Sequence, residues 1–309
     1  MNYEELISEI ALADERYIIM TAENRALIRN IPKNPALADR FIDTGITEQT
    51  MIGMAAGLAL RGRVPVVHAL AAFLTMRAYE FIRTDVGIAH LPVKLTGFIP
   101  GFLSDGNGPT HQAIEDVSIM RGIPGMQVFA PADEEDMILM LPEIWDSSSP
   151  AYTRANLIKP LIAHDKNFRI GKAEVIAEGS TITFLTYGML FNNVLQAKQA
   201  LEAQGLSIGL VNMRSLKPVD EEVIIRAAKQ SELVVVVEDH FTTGGLYSIV
   251  AEVLLKNQLS ANVQPLSLNE QWFRPARLSE VLEYEGFTPE KIAARALGIL
   301  ESTATKIQL

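Results

Sequence analysis

Between Asp43 and Gly57 the chain reads DTGITEQTMIGMAAG, which places one carboxylate, Glu48, where a strand gives way to a helix. Arg40 to Asp43 (RFID) reads as the end of a short buried strand. From Thr47 onward, Met51, Ile52, Met54, Ala55, Leu58 and Ala59 recur at helical spacing, and Gly62 closes the helix. A glutamate in a first helical turn can do no more than complement the helix dipole. It can also face the crevice at the carboxyl ends of parallel strands, where α/β folds place ligands, and there hold or move a proton. A second segment, Ile99 to Gln112 (IPGFLSDGNGPTHQ), places glycines at 101, 106 and 108 and prolines at 100 and 109 between a strand and a helix. Such a loop lets backbone approach a ligand closely. His111, at the helix entrance, could donate to a substrate oxygen. DGNG is also an ordinary turn signal, and a lone histidine is more often structural.

The elements that must position these residues alternate along the whole chain, the pattern of an α/β protein with mainly parallel sheets flanked by helices. In the first part Tyr17 to Thr21, Val64 to Leu70, Val93 to Phe98 and Gln127 to Ala130 read as strands. Helices are expected near Thr47 to Arg61, Phe73 to His90, Ala113 to Arg121 and Asp133 to Trp145. A strand near Ala151 to Thr153 ends in Arg154, and an irregular stretch follows to about Lys172. The alternation then restarts: strands at Thr181 to Tyr187, Ser207 to Asn212 and Leu233 to Glu238, with helices at Leu190 to Gln204, Val219 to Lys229 and Gly245 to Leu259. A short strand and a C-terminal helix from Pro289 complete it. Two domains are expected, residues 1–170 and 171–309.

With 48% hydrophobic residues, 309 residues suffice for two cores. The net charge of −10, from 27 basic and 37 acidic side chains, argues against a nucleic-acid or anionic-membrane surface and suits the cytoplasm. No cysteine is present, which excludes disulfides, thiolate metal sites and cysteine nucleophiles. The N-terminal MNYEELISEIALADER is an acidic amphipathic helix, the wrong chemistry for a signal peptide. The apolar run Met51 to Leu60 is about half of a membrane span.

GITEQ, FLTMRAYE, DGNGPTHQAIED, IMRGIPGM and FAPAD, in this order and spacing, resemble the pyrimidine-binding domain of the transketolase family. TRANL resembles the close of that domain, and MRSLKPVD and VVVVEDHFTTGGL resemble the family's C-terminal domain. The resemblance implies thiamine diphosphate as cofactor and a ketose and an aldehyde as substrates. In the family the glutamate of the GITEQ motif, here Glu48, hydrogen-bonds a ring nitrogen of the aminopyrimidine. Such a glutamate must hold or share a proton near neutral pH, which calls for an apolar surround such as Ile46, Met51 and Ile52 provide. Phe73 falls where the family stacks an aromatic ring on the pyrimidine, with a core phenylalanine as the plainer reading. Leu70 stands where many relatives carry a second phenylalanine and supplies an apolar wall. His111 carries over as a ligand of substrate hydroxyls or the carbonyl oxygen, and Arg154 as a candidate for substrate oxyanion or phosphate, with a surface arginine as its rival.

Asn107 stands where sugar-phosphate transketolases usually have an aspartate, and Ile99 where relatives often carry a phosphate-contacting histidine. Both departures put standard pentose-phosphate substrates in doubt. The Gly-Asp-Gly…Asn motif that holds Mg²⁺ and the diphosphate is missing, and Met1 begins almost at the pyrimidine domain. The expected assembly is therefore a split transketolase in which this chain is the C-terminal subunit, two copies working with two partner subunits that bring the metal ligands. A truncated chain would explain the same facts. Rival readings are the β-subunit of a 2-oxo-acid dehydrogenase, whose loop usually ends in HSQ, a deoxyxylulose-phosphate synthase, and a scaffold that keeps the fold without chemistry.

Overall fold

The structure, a computed structural model, describes residues 1–307. It divides into two compact units, Met1–Pro100 with Asp116–Ile170, and Gly101–Glu115 with Gly171–Leu309. The loop carrying Asn107 and His111 thus groups with the C-terminal half of the chain.

The first unit contains α1 (Tyr3–Ala13), β1 (Tyr17–Thr21), β2 (Phe41–Asp43), α2 (Glu48–Leu60), β3 (Val64–Leu70), α3 (Tyr79–Phe81), β4 (Lys94–Phe98), α4 (Asp116–Arg121), β5 (Gln127–Phe129), α5 (Glu134–Asp146) and β6 (Ala151–Ala155). Strands β5, β6, β4, β3, β1 and β2 lie side by side in that order, every pairing parallel. β1, β4 and β6 are buried at every position, as strands covered on both faces must be. α1 starts from a reciprocal cap: the Asn2 side chain accepts from the Glu5 amide and the Glu5 carboxylate from the Asn2 amide. It buries Tyr3, Leu6, Ile7 and Ala11 in a core shared with Tyr17, Val66 and Trp145.

Three expectations need correcting. The strand ending at Asp43 is half-buried because β2 ends the sheet on this side. Phe73 to His90 is not one α-helix: wide π turns at Phe73–Arg77 and Ile82–Gly87 flank the short α3. Each π turn breaks the 3.6-residue rhythm, and such turns frequently accompany functional sites. The helix expected from Ala113 begins only at Asp116, since the residues before it belong to the loop.

The second unit contains β7 (Glu174–Ala177), β8 (Ile182–Thr186), α6 (Phe191–Glu202), β9 (Ile208–Asn212), β10 (Ser215–Lys217), α7 (Glu221–Gln230), β11 (Leu233–Phe241), α8 (Leu246–Lys256), β12 (Val263–Leu268), α9 (Leu278–Glu285) and α10 (Pro289–Ile307). Its sheet runs β12-β11-β8-β9-β7, parallel except for β7, which joins β9 antiparallel at the edge. β7, β10 and α9 have no counterpart among the expected elements; the two strands are three or four residues long, too short to show a period. β11 outruns its apolar LVVVV core through Glu238, Asp239 and His240, all buried. Among the described residues no helix is long and apolar enough to cross a membrane.

Candidate active site

The chain passes from β1 to β2 on one side, then returns to β3 on β1's other side, so the sheet's topological switch lies at the carboxyl end of β1. Crevices of this kind are where open α/β sheets bind ligands. The turn that brings Glu48 there is built by Asp43, whose carboxylate accepts from the Gly45 amide (3.0 Å) and the Glu23 amide (2.9 Å) and pairs with Arg25. Gly45 takes φ +71°, a left-handed conformation that glycine adopts without strain. The Thr47 hydroxyl closes the turn on the Thr44 carbonyl at 2.9 Å. Glu48 is then the first residue of α2 and only 3% exposed.

Its carboxylate does not sit in an apolar shell alone. Arg77 Nη1 donates to both oxygens, at 3.1 and 2.9 Å, and the Arg77 guanidinium carbon lies 4.1 Å from the centroid of the Phe73 ring. Because β1 separates β2 from β3, this contact spans the carboxyl end of β1 and ties the two sides of the crevice together. The first π turn contains both Phe73 and Arg77. Stacking of a guanidinium on an aromatic face contributes about 0.5–1 kcal/mol where solvent reaches it. Met51 and Ile52 are buried, whereas Ile46 is 71% exposed. Leu70, the last residue of β3, is partly buried and packs against the core.

The other sequence-derived candidates have partners of their own. Arg154 is not a surface residue: it is 1% exposed in the interior strand β6, and its Nε donates to Asp116 at 2.9 Å. The Tyr152 hydroxyl donates to the same Asp116 oxygen at 2.6 Å. Asn107 and His111 share the loop of the second unit. Asn107 is exposed and His111 partly buried, with Nδ1 2.9 Å from the Thr110 hydroxyl and its amide donating to the Gly108 carbonyl at 2.9 Å. Of the residues singled out, Glu48 and Phe73 are brought together, through Arg77.

Residues 3–156 match the transketolase pyrimidine-binding domain, and residues 171–292 match the transketolase C-terminal domain. The chain belongs to the transketolase family. A 6-deoxy-6-sulfo-D-fructose transketolase subunit of Clostridium sp. is 36% identical over 83% of this chain and 80% of its own length. A Methanocaldococcus jannaschii protein named for a transketolase C-terminal section is 32% identical over 96% of this chain and 94% of its own. A solved structure described as a split gene transketolase in an inactive β4 tetramer is 31% identical, covers 97% of both chains and superposes with a TM-score of 0.84.

Within the transketolase family the chain also resembles longer proteins. A Synechococcus 1-deoxy-D-xylulose-5-phosphate synthase is 37% identical, but the chain spans only 41% of it. Sequence reasoning missed Arg77. Its signal lay in FLTMR, where a cation follows Phe73 by four residues, one helical turn on.

Proposed function

We propose that this chain is the pyrimidine-binding, C-terminal subunit of a split transketolase that moves a two-carbon ketol unit from a ketose donor to an aldehyde acceptor in the cytoplasm. One observation carries the reading: a buried carboxylate, Glu48, at the switch point of a transketolase pyrimidine-binding sheet. The donor set suits an aminopyrimidine. A carboxylate offers about four lone-pair positions, so Glu48 can hold Arg77 and still take a ring N–H. Phe73 offers an aromatic face beside it and Leu70 an apolar wall. When bound, thiamine diphosphate supplies a nucleophilic carbon and an electron sink for carbon–carbon cleavage.

Glu48 holds the proton at the pyrimidine nitrogen, and Arg77 fixes where the carboxylate points. Asn107 and His111 recognise substrate hydroxyls or the carbonyl oxygen. Arg154, buried and paired with Asp116, supports the architecture of β6. The Mg²⁺ and diphosphate ligands come from a separate N-terminal subunit in an α2β2 assembly. An apolar Ile46 left open next to Glu48 supports completion of the site by another chain, as does the inactivity ascribed to the β4 tetramer of the split-gene relative.

The test is reconstitution with the N-terminal subunit, using hydroxypyruvate as ketol donor and glycolaldehyde as acceptor. Glu48→Gln should lower turnover by about 10²–10⁴-fold, the range of a lost acid–base group, with assembly intact by light scattering. Unchanged turnover would remove Glu48 from the mechanism. Turnover by the isolated chain would remove the partner.

A further inference from the structure

The loop Gly101–Glu115 is held at both stems by the carboxyl end of β11, more than a hundred residues away. On one stem, the Asp239 carboxylate accepts from the Phe102 amide at 3.3 Å. On the other, the Phe241 amide donates to the Ile114 carbonyl at 2.9 Å. The stems close on each other through Gly101 N–H and the Ala113 carbonyl, also 2.9 Å. Beside them, buried Gln112 donates from Nε2 to the Phe273 carbonyl at 2.8 Å. The fully buried Phe102 ring packs on Phe273 and Phe287, with centroids 5.2 and 5.0 Å away. Between these anchors Gly106, Asn107 and Thr110 are exposed and Asp105 is partly buried. The arrangement is a rigid frame that presents a short stretch of polar side chains.

We infer that Asp239 is a positioning residue: it fixes the stem of the loop and thereby the place of Asn107 and His111. Its buried carboxylate accepts from an amide in the first turn of the helical stretch Gly101–Asn107, where N–H groups need partners from outside the helix. The pairing of β11 with β12 shifts register between Val237 and Phe241, the segment that carries Asp239. Asp239 touches neither substrate nor cofactor in this scheme. The inference rests on the proposed function only insofar as the loop meets substrate.

The experiment therefore has two readouts. Hydrogen exchange on the chain reports the frame itself. In Asp239→Ala, exchange at the amides of Phe102, Gly101 and His111 should accelerate about tenfold or more, while Asp239→Asn, which keeps an acceptor, stays close to wild type. In the reconstituted complex, Asp239→Ala should raise KM for hydroxypyruvate about tenfold, with kcat and the half-saturating concentration of thiamine diphosphate changed less than about threefold. If Asp239→Ala does not fold, Gln112→Leu removes the second anchor from the loop's side and carries the same readouts. Unchanged exchange at these amides overturns the inference whatever the activity. An equal loss of thiamine diphosphate affinity overturns it too, because the damage would then be general. Accelerated exchange in a complex whose wild type shows no ketol transfer supports the frame and refutes the functional reading.

Discussion

Two buried titratable groups should give the two units opposite responses to acid. In the first unit, His68 on β3 is fully buried. Its Nδ1 donates to the Met20 carbonyl (3.2 Å), so Nε2 is the acceptor facing the Tyr3 hydroxyl at 2.8 Å. Burial pushes its pKa down from 6.5 to about 4. The folded unit therefore refuses a proton that the unfolded chain takes. Stability is fully present above about pH 6.5 and is lost as pH falls toward 4. In the second unit, burial raises Glu238 from 4.5 to about 7, only partly offset by the amides of Tyr247 and Leu246 and the Tyr187 hydroxyl. Here the folded unit keeps a proton that the unfolded chain releases. Stability is present below about pH 4.5 and is lost as pH rises through 7.

At 1.36 kcal/mol per unit of pKa, each shift integrates between pH 7 and pH 5 to about 2 kcal/mol, negative for His68 and positive for Glu238. Each unit is read by its own amides: Val66 in β3 and Val236 in β11, by native-state hydrogen exchange with urea. In wild type, protection at Val66 should weaken and protection at Val236 strengthen between pH 7 and 5, after correction for the intrinsic exchange rate. His68→Gln should abolish the first change and leave the second. Glu238→Gln should do the reverse. Loss of neither slope in these variants would refute burial as the origin of the pH dependence. Loss of both in one variant would refute the independence of the units.

Removing Arg77 strips the partner from a carboxylate that is 3% exposed, while Arg77 itself is 41% exposed. The cost should fall between surface and buried pairs, about 1–2 kcal/mol for Arg77→Met, with coupling of similar size in a double-mutant cycle with Glu48→Gln. Coupling below a few tenths in urea melts would sink that ion pair. Gly97→Ala places a Cβ 2.7 Å from the Tyr152 ring and 3.1 Å from the Ala71 Cα, and should lower stability by about 1–3 kcal/mol through overpacking. An unshifted melting temperature for this variant would contradict the packing of β4 against β6.

What the sequence showed and hid follows from the range of the interactions. Glu48 was legible because the turn that places it is local: Asp43, Gly45 and Thr47 lie within five residues of it. Arg77 was not, since its meeting with Glu48 requires β3 to return beside β1, and the π turn at Phe73–Arg77 breaks the period on which face assignments depend. The burial of Arg154 was hidden for a related reason. A basic residue at a strand end reads as surface, but β6 lies between β5 and β4, and Asp116 supplies the charge that lets it stay inside. The loop's membership in the second unit was hidden because its anchors lie 137 and 161 residues away along the chain.

The two sheets also bear on why the proposed chemistry is assigned to Glu48 and not to Glu238, whose pKa burial raises. The second sheet has its own switch point, between β8 and β11, since β9 lies on one side of β8 and β11 on the other. That crevice is filled by the chain itself. Glu238 accepts from the first amides of α8, Tyr187 closes over it, and a Cβ on Gly245 would lie 2.2 Å from its carboxylate. A raised pKa there reflects a sealed helix start, with the group's hydrogen-bonding capacity spent on structure. At the first sheet the carboxylate pairs with Arg77, itself 41% exposed, two residues from an exposed Ile46. In the proposed function such a group shares its partner with a ring nitrogen, a role for which the sealed carboxylate of β11 has no free side.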